Sequence, residues 1–411
     1  MVGSGTRAVD RCRALGRAPF SDMEGGLYRA WLTPAHAQAL DTLSFWMRQA
    51  GMQVRMDSMG NLIGRYAGTG DGPPLMIASH IDSVRNAGFY DGPLGVMLGV
   101  ECVAALHEAG RRLPFPIEVV AFGDEEGSRF PAAMLTSRAM AGTLEPEALD
   151  MADARGITLA EAMKGFGLDI ARWAEARVSQ PPLAYLEAHI EQGPLLEARG
   201  LALGTVTGIA AQLRYEVTVT GKAGHAGTCA MGLRRDALVG AADMVLAVEA
   251  IARGMGGDLV ATVGRLAALP GAANVIPGAA VFTLDVRSGD EARRDLAADA
   301  ILARIRQQGE ARGLGVSVDK IHTLPASPCA PDLMALMDEG IAAAGQRPFR
   351  LVSGAGHDAM VMAAVCPTAM LFIRCAGGVS HHPEESVAVA DVEAAFTAMM
   401  RFIEGLGEQR A

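Results

Sequence analysis

Hydrophobic and polar positions follow two regimes along the chain. In the outer parts, short continuous apolar runs stand between amphipathic stretches. LMIAS at 75–79, IEVVAFG at 117–123 and the runs at 183–188 and 368–374 read as strands buried on both faces. Leu40, Leu43, Trp46 and Met47 recur at helical spacing within 36–50, and Gly51 ends that stretch. Residues 94–109, 331–344, 357–364 and 391–407 read as further helices, with a strand at 349–353. Two short strands are expected in 53–66 around a turn at Ser58–Asn61, and Ala-rich helical pieces in 141–180. Buried strands alternating with helices predict an α/β domain, a mixed twisted sheet with helices on both faces.

The regime changes in the middle. QLRYEVTVT (212–220) alternates, so one face is polar. A helical stretch at 233–253, strands at 259–268 and 280–287, a helix at 290–312 and a strand at 315–323 follow. The order β-α-β-β-α-β predicts a ferredoxin-like α+β unit. α/β patterning resumes after Pro325. The expected organisation is a discontinuous domain, 1–208 and 326–411, with a second domain inserted at 209–325.

Composition narrows the function classes. The 411 residues include 36 Lys and Arg against 46 Asp and Glu, a formal net charge of −10, with no basic run. That lacks the electrostatic footprint of a nucleic-acid binder. The longest apolar stretch, 359–373, is broken by Pro367 and falls short of the ~18 residues that cross a bilayer. Arg7, Arg11, Arg13 and Arg17 precede no apolar segment, so no signal peptide is expected. Six scattered cysteines without a CxxC read as reduced thiols of a cytoplasmic protein.

Candidate chemistry gathers just past the C-terminal ends of the buried strands, where open α/β sheets bind ligands. SHIDSV places His80 and Asp82 on one side of an extended segment, so one can bind a metal while the other orients it. In FYDGPLG, Asp91 precedes a turn and a helix start. It can bridge two cations, although taken alone it is more often an N-cap. In GDEEGSRF, one of Glu125 and Glu126 can bind metal while the other faces water as a general base; a solvated acidic loop is the bland alternative. EAHIEQG carries His189, and GGVSHHPEE carries His381 and His382. A lone histidine is usually a satisfied core residue. The set of His and carboxylate groups is what suits Zn²⁺, Mn²⁺ or Co²⁺.

SHIDSV, FYDGPLG, DEEGSRF, LEAHIEQGP, GKAGHAGT, NVIPG, SGAGHDAM and GGVSHHPEE together resemble the hydantoinase/carbamoylase branch of the two-metal aminoacylase/carboxypeptidase superfamily. The resemblance runs in family order from about residue 60 to 385. It implies two divalent ions per subunit, Zn²⁺ or Mn²⁺ with Co²⁺ or Ni²⁺ as alternatives. His80 and His189 would each hold one ion, Glu126 and His381 would hold the other, and Asp91 would bridge. It implies Glu125 as general base and Asp82 as support for His80. The inserted domain would be a lid and dimerisation domain of a homodimer. From it His225 would reach the partner's site and polarise the scissile carbonyl. Gln192, Asn274, Arg287 and Gly356 match substrate-carboxylate contacts, and Arg214 adds a second cation. Without the resemblance, Arg287 would read as a surface salt bridge. His357 and Asp358 stand beside the substrate or behind the metals, with a helix-capping role equally open for Asp358. Two positions depart from the family pattern. Cys229-Ala230-Met231 replace a segment with Pro-Met after the lid histidine, and the lost proline would loosen that turn. His382 stands where Ser or Asn is usual, and reads as a loop residue.

The expected activity is hydrolysis of a linear amide or ureido C–N bond in a small carboxylate. Gln212-Leu213-Arg214-Tyr215 and EGGLYRAWLTP (24–34) look like the allantoate amidohydrolase version, which makes allantoate the first substrate expected. N-carbamoyl-L-amino-acid or β-ureidopropionate hydrolysis is the alternative. His189 disfavours a dipeptidase or aminoacylase, and an inactive scaffold would have lost Glu125 or a ligand.

Overall fold

The computed structural model describes residues 3–410, which divide into two compact units. The first runs to Thr207 and resumes as Cys329–Leu351 and from Ala355 onwards. The second is Gly208–Pro328 with Val352–Gly354.

The first unit begins with α1 (Ser4–Leu15) and α2 (Pro34–Gln49). β1 (Gln53–Met56), β2 (Leu62–Tyr66) and β3 (Leu75–His80) follow, then α3 (Pro93–Glu108) and β4 (Ile117–Phe122). α4 (Leu135–Ala141) and α5 (Leu159–Gly165) lead to β5 (Ala184–Ile190), α6 (Leu195–Ala198) and β6 (Leu203–Ile209). Helix α1 has no counterpart in the apolar pattern read above, because its buried Ala8, Val9, Cys12 and Leu15 lie between arginines. Arg7 and Arg11 close on the fully buried Glu101 of α3, at 2.6 Å each. The 141–180 region is mostly turns and short helical pieces.

The sheet runs β1-β2-β4-β3-β5, and β3 pairs parallel with both β4 and β5. Strand residues alternate between faces. Ile77, Val119, Leu186 and Ala188 share a core with α1, α2 and α3. The opposite face carries Glu187 and His189. Gly95 of α3 lies so close to β5 that a Cβ there would stand 2.1 Å from the Ala188 carbonyl oxygen. Helix α3 therefore docks its start directly under the strand that bears His189.

The second unit opens with β7 (Ala211–Thr220), β8 (Gly224–His225) and α7 (Ala237–Met255). β9 (Val260–Thr262), β10 (Leu266–Leu269), β11 (Val275–Ile276), β12 (Ala279–Ser288), α8 (Glu291–Ala311), β13 (Gly315–Leu324) and β14 (Ser327–Pro328) follow. The strand expected at 259–268 is two short pieces. Its antiparallel sheet runs β10-β12-β7-β13, with β9 also on β12. Leu213, Tyr215, Val217, Leu284 and Val286 pack with α7 and α8, leaving the alternate positions on a polar face.

The chain re-enters the first unit with α9 (Pro331–Ala343) and β15 (Arg350–Ser353), whose last residues belong to the second unit. α10 (Asp358–Met362), β16 (Thr368–Ile373) and α11 (Val389–Glu408) complete it. β16 joins β5 in parallel and β6 antiparallel, so the sheet is mixed. α9 and α11 share the core of α1 and α3, while the backbone N–H of Ala359 in α10 donates to Glu187 on the other face. No helix among the described residues is long and apolar enough to cross a membrane.

Candidate dinuclear metal site

Strands β3, β4, β5 and β16 run parallel, so their C-terminal ends share one edge of the sheet. His80 is the last residue of β3 and His189 the penultimate residue of β5, both buried. His189 Nδ1 lies 2.9 Å from the Ile190 carbonyl, and His80 Nδ1 lies 3.2 Å from the Asp82 carbonyl. Carbonyls only accept, so each Nδ1 carries hydrogen and each Nε2 is turned inward. The two Nε2 atoms stand 3.4 Å apart. Asp91 Oδ1 is 3.2 Å from that of His189 and 3.6 Å from that of His80. Asp91 Oδ2 is 3.3 Å from His381 Nε2, which is 3.5 Å from Glu126 Oε1.

Two groups of donors therefore share Asp91. His80, Asp91 and His189 converge within reach of one ion, and Asp91, Glu126 and His381 within reach of another. Nitrogen and carboxylate oxygen donors of this kind suit Zn²⁺ or Mn²⁺. Proton-only alternatives fit poorly. Two imidazolium rings would set N–H against N–H, two neutral rings would set lone pair against lone pair, and one of each leaves a single inward N–H to serve both the other ring and Asp91. A cation satisfies the inward nitrogens and the carboxylate together, so the residues fit a dinuclear centre.

A third buried group, Glu187, His189 and His357, differs. Glu187 already accepts from Ser79 Oγ, Tyr185 Oη and the Ala359 N–H, and His189 has turned Nδ1 to Ile190. The His357 ring packs edge-on against His189, centroids 4.4 Å apart, so this group holds the His189 ring from behind.

The acidic pair is held by backbone. Asp82 accepts the Glu125 N–H on Oδ1 and the Glu126 N–H on Oδ2, at 3.1 and 3.2 Å. Asp82 thus organises the acidic turn as well as His80. Burial pushes Glu125 well above the usual carboxylate range, and Glu126 adds to the push. Burial likewise raises Glu126 to about 7. Asp124 and Asp358 are buried beside them. Burial raises Asp358 to about 8, and Glu187 reinforces it. Several buried carboxyl groups crowded against one another, each raised by burial, are what divalent cations would hold in the charged form. Asp358 does not cap α10; the N-cap position is His357.

Local backbone is specialised for this edge. Gly92 has φ +82, and a Cβ there would fall about 2.4 Å from the His80 ring. Gln192 and His381 hold φ of +56 and +55, uncommon for side-chain-bearing residues and a mark of constrained sites. Gln192 Nε2 donates to Asp91 Oδ2 at 2.9 Å, so in this structure it braces the shared carboxylate.

The other expected substrate contacts divide between the units. Gly356 lies in the first, with His357. His225, Asn274, Arg214 and Arg287 lie in the second. His225 and Asn274 meet where β8 pairs with β11, the Ala226 N–H donating to the Asn274 carbonyl at 2.9 Å. Arg214 and Arg287 project from the polar face of β7 and β12 beside Asp285.

A model of the peptidase family M20/M25/M40 matches residues 76–405. The chain is 43% identical over 383 residues to an N-carbamoyl-L-amino acid amidohydrolase of Geobacillus stearothermophilus, covering 93% of each. It is 40% identical over 430 residues to a probable allantoate deiminase of Oryza sativa subsp. japonica, covering 96% of this chain and 87% of that protein. A hydantoinase/carbamoylase family amidase from Burkholderia ambifaria superposes with a TM-score of 0.91 at 36% identity, covering 98% of this chain and 97% of that one. The chain belongs to the hydantoinase/carbamoylase group of this peptidase family.

Two features expected to depart from the family pattern can be placed in the structure. After His225, the turn at Cys229-Ala230-Met231 is tied without a proline. Arg234 donates to the Cys229 carbonyl at 3.1 Å and to the Ala226 carbonyl at 2.6 Å, so the expected loosening is offset by a side-chain clamp. His382 is exposed beside Glu384, outside the donor groups, as a loop residue would be.

Two residues that sequence reasoning passed over belong to the donor cluster of the first unit, and a third lies beside the arginines of the second. Glu385 Oε1 accepts the Tyr90 and Asp91 N–H groups at 2.8 and 3.1 Å, and Ser380 Oγ donates to Asp91 Oδ2 at 2.5 Å. Asp285 joins the two arginines of the second unit. The signal for the first two lay in GGVSHHPEE itself, whose Ser and second Glu flank the histidines.

Proposed function

We propose that the chain is a metal-dependent amidohydrolase that cleaves linear amide or ureido C–N bonds in small carboxylate substrates. The observation that carries this reading is the pair of donor groups sharing Asp91, with Glu125 beside them on the same turn as the ligand Glu126. Allantoate is the substrate favoured, giving ureidoglycine, ammonia and CO₂. N-carbamoyl-L-amino acids are the second reading, supported by the 43% identity to an amidohydrolase of that name.

In this reading His80 and His189 would hold one ion, Glu126 and His381 the other, and Asp91 both. Bound divalent cations supply Lewis acidity, acidifying water and polarising the carbonyl. Glu125 takes a proton from the water that attacks the carbonyl carbon and hands it to the leaving nitrogen as the C–N bond breaks. His225 offers a hydrogen bond to the carbonyl oxygen as charge develops there. Arg214, Arg287, Asn274, Gln192 and Gly356 receive the substrate carboxylate and its neighbours.

The second unit is read as a ferredoxin-like lid and dimerisation domain. Its element order, β7-α7-β9/β10-β12-α8-β13, and its open edge strand β13 support that reading. His225 would then serve the partner subunit's site. Six free cysteines, five of them buried, agree with a cytoplasmic location.

Ammonia release by Mn²⁺-loaded protein, compared side by side on allantoate, N-carbamoyl-L-amino acids and dipeptides, tests the substrate. The reading predicts release from allantoate above the others. Activity confined to dipeptides would overturn it.

A further inference from the structure

Asp285 sits at the centre of the polar sheet face of the second unit. Register pairs it with Arg214 across β7, and Arg287 lies two residues on along β12, so all three side chains share one face. Arg287 Nε and Nη2 meet the two Asp285 oxygens at 2.8 and 3.2 Å, and its Nη1 donates to the Gly354 carbonyl at 2.5 Å. Arg214 Nε and Nη2 both donate to Asp285 Oδ2, at 3.1 and 2.9 Å, where Gln212 Nε2 also donates at 2.5 Å. A guanidinium has five N–H groups. Arg287 spends three and keeps two; Arg214 spends two and keeps three. The arginine side chains are 31% and 44% exposed against 18% for Asp285, so the carboxylate lies beneath and the unspent N–H groups lie outward. These residues line a cavity of about 570 Å³, with Thr262 and Thr283 on its wall. The side chains of the triad sum to one positive charge.

We propose that Asp285 is a positioning residue that fixes Arg214 and Arg287 as a paired clamp for a single planar carboxylate, and so sets the preference for acids over their neutral amides. The inference rests on the carboxylate-substrate reading above. Burial works against the Asp285 charge, but Arg287, Arg214 and Gln212 outweigh it and hold the carboxyl below its usual range. Fork geometry is what makes arginine pairs selective for carboxylates, and a fork is useful only when its angle is fixed. A second planar anion would face repulsion, since only one net charge is available.

The sign of the effect separates positioning from simple charge. Asp285→Asn removes a negative charge, which by itself would tighten anion binding. It also puts an NH₂ against a guanidinium and ends the two-oxygen grip on Arg287, which would loosen the clamp. Isothermal titration calorimetry on the full chain, with metals removed so that nothing is hydrolysed and no carboxylate binds an ion, compares N-carbamoylglycine with its amide. Wild type is expected to prefer the acid by about 10-fold or more, and Asp285→Asn to cut that ratio to about 3-fold or less, in line with loss of a charge-assisted pair. Asp285→Glu, which restores charge one methylene away, should recover part of the ratio. It also provides the reading if the Asn variant does not fold. An unchanged or larger ratio in Asp285→Asn, whatever its melting temperature, overturns the positioning role alone. No acid preference in wild type overturns the carboxylate reading, and this proposal with it.

Discussion

His189 Nε2 stands 3.2 Å from Asp91 Oδ1, while its Nδ1 is committed to the Ile190 carbonyl 2.9 Å away. The backbone thus chooses which ring nitrogen faces the carboxylate. Nothing local to β5 requires a histidine at that depth. The ring is buried, pressed by His357, and pointed at a carboxylate that two other imidazoles also approach.

Among the described residues, Asp91 is the only one common to the two donor groups that could each hold an ion there. Asp91→Ala should therefore lower occupancy of both ions, where His381→Ala should lower chiefly one. Elemental analysis of purified variants after Mn²⁺ loading reads this directly. Two ions per chain retained in Asp91→Ala would refute the bridging assignment.

His36 gives a pH prediction away from the ligands. It is fully buried, accepts the Leu32 N–H on Nδ1, stacks on Phe166 and leaves Nε2 unpartnered. Burial drives its pKa down to about 3. An unfolded histidine titrates near 6.5, so the folded state resists a proton that the unfolded state takes. The stability this provides is complete above pH 6.5 and falls away as pH drops toward 3. By pH 5 the loss is about 2 kcal/mol. Denaturant midpoints for wild type and His36→Gln between pH 7 and 5 should show the gap between them narrowing by that amount on acidification. A gap independent of pH would contradict the account.

Much of this was legible in the chain. The parallel strands at 75–79, 117–123, 183–188 and 368–374 announced themselves as apolar runs, because burial on both faces removes alternation. Each polar residue at their ends was then conspicuous, and the ligand candidates followed. Helix α1 was hidden because its apolar stripe is narrow and its arginines serve Glu101, a partner ninety residues away that no local pattern reveals. Asp285 was hidden for the opposite reason. An Asp two residues before an Arg on an alternating strand looks like any solvated face until the register with Arg214 is known.

The dimer reading predicts complementation. If His225 acts in the partner subunit's site, Glu125→Gln and His225→Ala, each inactive alone, form mixed dimers in which one site has both defects and the other neither. With random exchange about half the dimers are mixed, and activity should return to roughly a quarter of wild type. Confirmed exchange with no recovered activity would place His225 within its own chain.

The central claim is that Glu125 moves the proton at a cation-filled site built on Asp91. Turnover and metal content measured together on Glu125→Gln test it most directly. The substitution leaves every proposed ligand in place and removes only the base, so two ions per chain should remain while ammonia release falls by about 10²-fold or more. Near wild-type release at full metal content would contradict it.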